Sequence, residues 1–280
     1  MHISIFSQNL ANKTVVSPSR LKPKGIYIEF TQENALTHYT SLLSASSLYT
    51  SEQSNGRISP FNIITKVFCD PSLIKSHSSG VIHLQSGSGT TLYTMLTQAA
   101  SVVRSIFNES NKGVVWIKLD LATFSLLLVN MHLPVDPTSA DYGNEYRTKC
   151  FKESMDSLSH LMDDKTLLIV GGDLNFRMEG KKDQLTTLLH TYKPSLHDLT
   201  GPEATCKFIM NSSGIRSFDT SRTPSRCDRI LANKSLAVTS KSIILDPELD
   251  HNGVFVEFEY SKGGRRLTKS KRMKKYRTTR

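Results

Sequence analysis

Four consecutive apolar residues, Leu167, Leu168, Ile169 and Val170, run into Gly171-Gly172 and are followed at once by Asp173, Asn175 and Arg177. An unbroken apolar run of this length suits a strand buried on both faces. Glycine allows a sharp turn or a close backbone approach, so the polar side chains can project from the carboxyl end of the strand. A carboxylate can orient or deprotonate water, an amide can donate to developing charge, and a guanidinium can neutralise phosphate; together they suggest phosphoryl chemistry. The local alternative is a strand followed by an Asx-rich turn.

Similar short apolar runs predict strands at 2–6, 25–30, 61–68, 80–84, 113–121, 124–131, 166–171, 236–245 and 253–260. Helical stripes lie between them: Leu92 to Ile106, Phe151 to Met162 and a shorter one from Leu185 to Tyr192. Strands that alternate with helices yet also meet in hairpin-like pairs imply an α/β sandwich of mixed sheets covered by helices. The Ser-rich stretch 41–59 reads as an excursion between elements, and residues 1–260 as one unit without a convincing linker.

Several other apolar runs also end in polar residues. Asn9 follows ISIF, Gln32 and Glu33 follow GIYIEF, His132 follows LLLVNM, and Asp250 with His251 precede GVFVEF. Each has a local explanation as a cap, turn or core residue. Parallel or mixed sheets, however, gather strand ends along one edge and would bring these groups within reach of one another. An oxygen-rich set with retained waters is what magnesium prefers, with Glu33 as the best ligand and Asn9 and Asp250 near it. Asp173 or His251 would then prepare the attacking water, while His132 and Asn175 hydrogen-bond the scissile phosphate.

The formal charge of +10 is confined to one end of the chain. Residues 261–280 hold ten Lys or Arg and no acid, and the remainder balances 25 basic residues against 25 acidic ones. Such a tail reads as disordered and suited to anionic lipid, nucleic acid or a nuclear import receptor. Cysteines at 69, 150, 206 and 227 form no CxxC pair, which leads to an expectation of free thiols in a reducing compartment. The start of the chain lacks a signal-peptide pattern and no run of about eighteen apolar residues occurs, so a soluble cytoplasmic protein is expected, with membrane-peripheral or nuclear placement through the tail.

The segment SRTPSRCDRIL at 221–231 resembles the PAWCDRIL signature of inositol polyphosphate 5-phosphatases, within the DNase I-like endonuclease, exonuclease and phosphatase superfamily. FDTS at 218–221, NKG at 111–113, NMHL at 130–133 and GDLNFR at 172–177 resemble that family's YDTS, NKG, SHL and GDLNYR elements in order. The resemblance spans about Ile3 to Phe258. It implies a four-layer sandwich of two mixed sheets flanked by helices, and magnesium-dependent removal of a 5-phosphate from an inositol phosphate or phosphoinositide. It implies that Glu33 binds magnesium with Asn9 nearby, and that His132, Asp173, Asn175 and His251 handle the scissile phosphate and attacking water, with Asp250 beside them. Asp228 and Arg229 would support the site, and Lys207, Arg177, Arg229 and Lys112 would face substrate phosphates.

Departures from the pattern fall on the substrate side. Cys206 stands where a tyrosine is expected beside Lys207, Arg226 replaces an aromatic residue, and about three residues are missing between Ser221 and Pro224. Arg226 and Arg222 could restore phosphate contacts if they face the pocket. The other readings are a nuclease on the same scaffold, with the tail attracting nucleic acid, and a catalytically weak phosphoinositide-binding protein. A monomer is the default expectation.

Overall fold

The computed structural model describes residues 1–10, 25–33, 48–50, 63–84, 93–95, 112–134, 143–176, 178–179, 182–192, 195–203, 205–206, 208–210, 216–218, 226–244 and 249–261. In chain order the strands begin with β1 (His2–Asn9), β2 (Ile26–Gln32), β3 (Leu48–Thr50), β4 (Ile64–Phe68), β5 (Ile74–His83) and β6 (Tyr93–Met95). They continue with β7 (Gly113–Leu121), β8 (Ser125–His132), β9 (Thr166–Asp173), β10 (Met178–Glu179), β11 (Lys182–Asp183) and β12 (His197–Asp198). The last are β13 (Phe208–Met210), β14 (Arg216–Phe218), β15 (Asp228–Ala232), β16 (Val238–Ile244) and β17 (Gly253–Glu259). Helices α1 (Asn144–Ser157) and α2 (Gln184–Thr191) flank β9 in sequence.

Two large mixed sheets result. One runs β16-β17-β1-β2-β4-β3 and the other β12-β15-β9-β8-β7-β5-β6, with β10-β11 and β13-β14 as separate hairpins. The parallel pairs, β1 with β2 and β8 with β9, lie centrally. That position explains their sequences: strands covered on both faces have no solvent side to mark with polar residues. On β8, Leu126 and Leu128 pack towards the six-stranded sheet with Ile3, Ile28 and Phe30, whereas Leu127, Val129 and Met131 pack with Phe151, Met155 and Leu185 of the helices. The seven-stranded sheet is therefore the middle layer. This is a DNase I-like α/β sandwich.

The outer face of the six-stranded sheet buries Phe6, Tyr27 and Phe255 together. The helix expected from Leu92 to Ile106 begins instead as a strand at Tyr93–Met95, paired to β5, and its remainder lies outside the described residues, as does most of 41–59. The tail from 262 onward also lies outside them. No helix among the described residues is long and apolar enough to cross a membrane. The second helix prediction holds in shape, but α1 starts earlier, at Asn144, and a separate 3-10 turn covers Ser159–Leu161. The thiol expectation is corrected: Cys206 and Cys227 form a disulfide, while Cys69 and Cys150 are free.

Candidate active site

Register places the site. His132 lies opposite Asp173 across the parallel β8-β9 pair, and Asp173 lies opposite Asp228 across the antiparallel β9-β15 pair. Three ionisable side chains thus stand in a row at one edge of the middle sheet. The second sheet supplies the facing groups, since Asn9 and Gln32 are partners at the ends of β1 and β2. Asn9 Nδ2 donates to Asp173 Oδ2 at 3.1 Å, and Gln32 Nε2 donates to Asn130 Oδ1 at 2.7 Å. Asn130 in turn donates to Ile64 O at 2.9 Å. These buried bonds fasten one sheet to the other just beneath the site.

The two glycines before Asp173 have separate jobs. A Cβ on Gly171 would lie 2.4 Å from the ring of Phe30, so the two sheets approach closely here. Gly172 has φ +122°, and a Cβ there would lie 2.1 Å from Met131 O. Beyond the strand, Asn175 N donates to Asp173 Oδ1 at 3.1 Å and Asn175 Nδ2 donates to Leu133 O at 3.0 Å. Asn175 holds φ 55° and Glu33 holds φ 51°, the left-handed region that non-glycine residues enter at a cost. The sequence nominates Asn175 for the scissile phosphate and Glu33 for the cation. Behind this turn, buried Arg147 of α1 donates to Pro134 O at 3.1 Å and to Gln184 Oε1 at 3.2 Å, and stacks on Phe176.

Charge converges on Asp173. His132 Nε2 lies 3.5 Å from Asp173 Oδ2 and 3.5 Å from Glu33 Oε1, and His251 Nε2 lies 4.0 Å from Asp173 Oδ2. Lys112 Nζ contacts His132 Nε2 and lies 3.8 Å from Glu33 Oε1. Burial alone would raise the Asp173 carboxyl, but the bond with His132 and the charges of His251, His132 and Lys112 outweigh it and hold it well below the usual carboxylate range. Asp228, fully buried, takes His251 Nδ1 on Oδ2 at 2.9 Å. Burial opposes protonation of His251, yet Asp228, Asp173 and Asp250 override it and push its pKa up to about 10.

An oxygen-rich donor set is present for a divalent cation. Glu33 and Asn9 supply a carboxylate and an amide beside Asp173. Among the described residues, one ligand atom each from Asp173, Asp228 and His251 lie within 4.8 Å of one another, and Asp228 Oδ1 is buried without a hydrogen-bond partner. The carboxylate and amide oxygens of Glu33, Asn9, Asp173 and Asp228 are hard donors that suit magnesium or calcium better than a soft metal.

Three nominations need correction. Asp250 is exposed, and what the structure shows of it is a charge that acts on the neighbouring His251. Arg229 and Arg226 do not present open guanidiniums. Arg229 is fully buried, donating to Asp198 Oδ2 at 2.6 Å and Asp183 Oδ2 at 2.8 Å. Arg226 reaches the same two carboxylates at 3.0 and 3.1 Å, and Thr200 Oγ1 at 3.2 Å. Burying the Arg229 guanidinium beside half-buried Arg226 requires paired acids, and Asp183 and Asp198 fill that need. Neither acid is nominated by the sequence, because nothing in its local pattern reveals a partner so distant in the chain. Arg177, Lys207 and Arg222 lie outside the described residues.

Solved structures share the architecture. The chain aligns over 92% of its length with the inositol polyphosphate 5-phosphatase domain of spSynaptojanin, in complex with inositol (1,4)-bisphosphate and calcium ion, at 18% identity, TM-score 0.60 and 84% of that chain. It aligns over 92% of its length with TDP2 from Caenorhabditis elegans at 16% identity, TM-score 0.55 and 74% of that chain. The endonuclease domain of TRAS1, a telomere-specific non-LTR retrotransposon, gives 16% identity and TM-score 0.55 over 92% of this chain and 99% of that one. At these identities the likeness is one of fold. No curated protein sequence matches the chain. Residues 57–203 match the family described as Endonuclease/Exonuclease/phosphatase family 2, more than half of the sequence, and the chain therefore belongs to that family.

Proposed function

We propose that the protein is a magnesium-dependent phosphatase that removes the 5-phosphate of an inositol polyphosphate or phosphoinositide by direct attack of water. The observation that carries this reading is the row His132, Asp173, Asp228 along one sheet edge, with Glu33, Asn9, Asn175 and His251 gathered around it. The choice of inositol phosphate is supported by the PSRCDRIL, FDTS and GDLNFR elements and by the inositol bisphosphate held by the spSynaptojanin domain.

Glu33 and Asn9 would hold the cation, which when bound neutralises phosphate charge and the leaving oxygen. The chain's own groups divide the remaining work. Asp173, kept ionised by its neighbours, is a weak base and serves chiefly to orient water in line with the phosphorus. His251 carries a proton at neutral pH because of Asp228, so it donates through Nε2 to a phosphate oxygen. This favours Asp173 over His251 as the group that prepares water. His132 and the amide of Asn175 complete the donors around the phosphate. Without an activated Cys or Ser nucleophile in the sequence pattern, hydrolysis in one step is the consistent route.

The test uses purified protein and the Asp173→Ala variant with inositol trisphosphate, phosphoinositide vesicles and DNA, each with magnesium or chelator. Magnesium-dependent phosphate release by the wild type alone is expected. DNA strand cleavage without phosphate release would replace the reading with a nuclease, and no turnover of any substrate would favour a binding protein. For the basic tail, deleting residues 261–280 is expected to weaken binding to anionic vesicles and spare turnover of soluble substrate.

A further inference from the structure

Cys206 stands where the resembled signature has tyrosine, and its sulfur is joined to Cys227, 21 residues along the chain. Both residues are buried. Their neighbours make the position consequential. Cys227 directly precedes Asp228, whose carboxylate holds His251 Nδ1 at 2.9 Å. Cys206 forms an isolated antiparallel bridge with His251 itself. Asn252 N donates to Thr205 O at 2.7 Å, and Asp228 N donates to Thr205 Oγ1 at 2.9 Å. The segment Thr205-Cys206 is thus a wedge between β15 and the residues leading into β17, bonded by backbone to the histidine side and by sulfur to the aspartate side.

We propose that the Cys206–Cys227 bond is a redox-sensitive positioning element for the Asp228–His251 pair, Cys206 and Cys227 being its positioning residues. With the bond formed, the imidazole is held through Asp228 on its ring and through Cys206 on its backbone, and the two holds are covalently one. A dithiol reductant breaks the S–S bond, delivers two electrons and two protons to give two thiols, and becomes a disulfide itself. Glutathione disulfide reverses the change through a mixed disulfide, releasing two glutathione thiols. In the reduced protein the wedge keeps its hydrogen bonds to Asn252 and Asp228 but loses its covalent tie, so it opens locally more often and the Asp228–His251 geometry loosens.

The experiment compares full-length protein equilibrated with glutathione disulfide or with dithiothreitol. Thiol labelling after unfolding counts free cysteines, of the four in the chain, and amide hydrogen exchange reads the Asn252 N–H. Labelling at only Cys69 and Cys150 is expected in the oxidised sample, and reduction is expected to raise exchange at Asn252 by about tenfold while core strands β8 and β9 stay protected. The Cys206→Ser/Cys227→Ser variant should match the reduced wild type in both media; should it fail to fold, the wild-type pair of samples decides alone. Labelling of all four cysteines without reductant, equal exchange in the two states, or a loss of protection spread over β8 and β9 would each overturn the proposal. A turnover arm rests on the hydrolytic reading: kcat should fall about tenfold on reduction, in keeping with a misplaced reacting group. Absence of turnover in both states would count against hydrolysis, leaving the labelling and exchange results to judge the disulfide.

Discussion

Gly171 of β9 lies against the ring of Phe30 from the opposite sheet, so close that a single methyl group at this position would be 2.4 Å from the ring. The contact lies two residues before Asp173, where the separation of the two sheets sets how Asn9 reaches that carboxylate. Replacing Gly171 with Ala should destabilise the protein by about 1–3 kcal/mol through overpacking. Urea unfolding measures the loss, and an unchanged midpoint would mean that Phe30 moves aside at no cost.

Asp173→Asn preserves shape and removes the charge that faces His132, Lys112 and His251. Phosphate release should fall by about a hundredfold or more while the fold persists. Steady-state kinetics beside circular dichroism would separate lost catalysis from lost structure.

Glu33→Gln removes the carboxylate charge assigned to the cation. Half-maximal activity should then require about tenfold more magnesium, and calorimetric titration should show the same weakening without any turnover being involved. Equal affinity in both proteins would move the cation away from Glu33.

Arg229→Met is expected to act on stability, since the change strips a fully buried partner from Asp183 and Asp198. Breaking such a pair costs about 3–5 kcal/mol, with Arg226 retaining part of the compensation. A variant with wild-type stability and a raised KM would return Arg229 to substrate binding.

The pH dependence has a definite sign. Asp228 and His251 both bind protons more tightly in the folded protein: burial, opposed by His251, raises the first, and the acid groups raise the second to about 10. His251 therefore contributes stability that is complete below its ordinary pKa of 6.5 and is lost as pH rises towards about 10. Asp173 works in the other direction, stabilising above its ordinary value of 3.8 and losing that contribution as pH falls below it. Asp228→Asn should flatten the alkaline decline between about pH 6.5 and 10 and leave the acid limb in place. Denaturation midpoints across pH provide the measurement.

Much of the architecture is legible in local pattern. The unbroken apolar run Leu167 to Val170 marks a doubly covered strand, while the strand starting at Gly113 and the stripe Leu185, Leu188 obey side-chain periodicity; both signals depend on near neighbours and so are written along the chain. The Tyr93–Met95 strand defeats the same logic. A helical stripe there yields to pairing with β5, a contact between separate segments that spacing does not encode.

The site divides in the same way. Sequence alone nominates Asn9, Glu33, His132, Asp173, Asn175 and His251, because polar groups at the ends of apolar strands can meet at a sheet edge. Tertiary structure decides which carboxylate serves which charge: Asp228 pairs His251, Asp183 and Asp198 neutralise Arg226 and Arg229, and Asp250 remains exposed. The residue types state what chemistry is available, whereas burial and register, which join residues far apart in the chain, determine the partner and hence the proton each group holds.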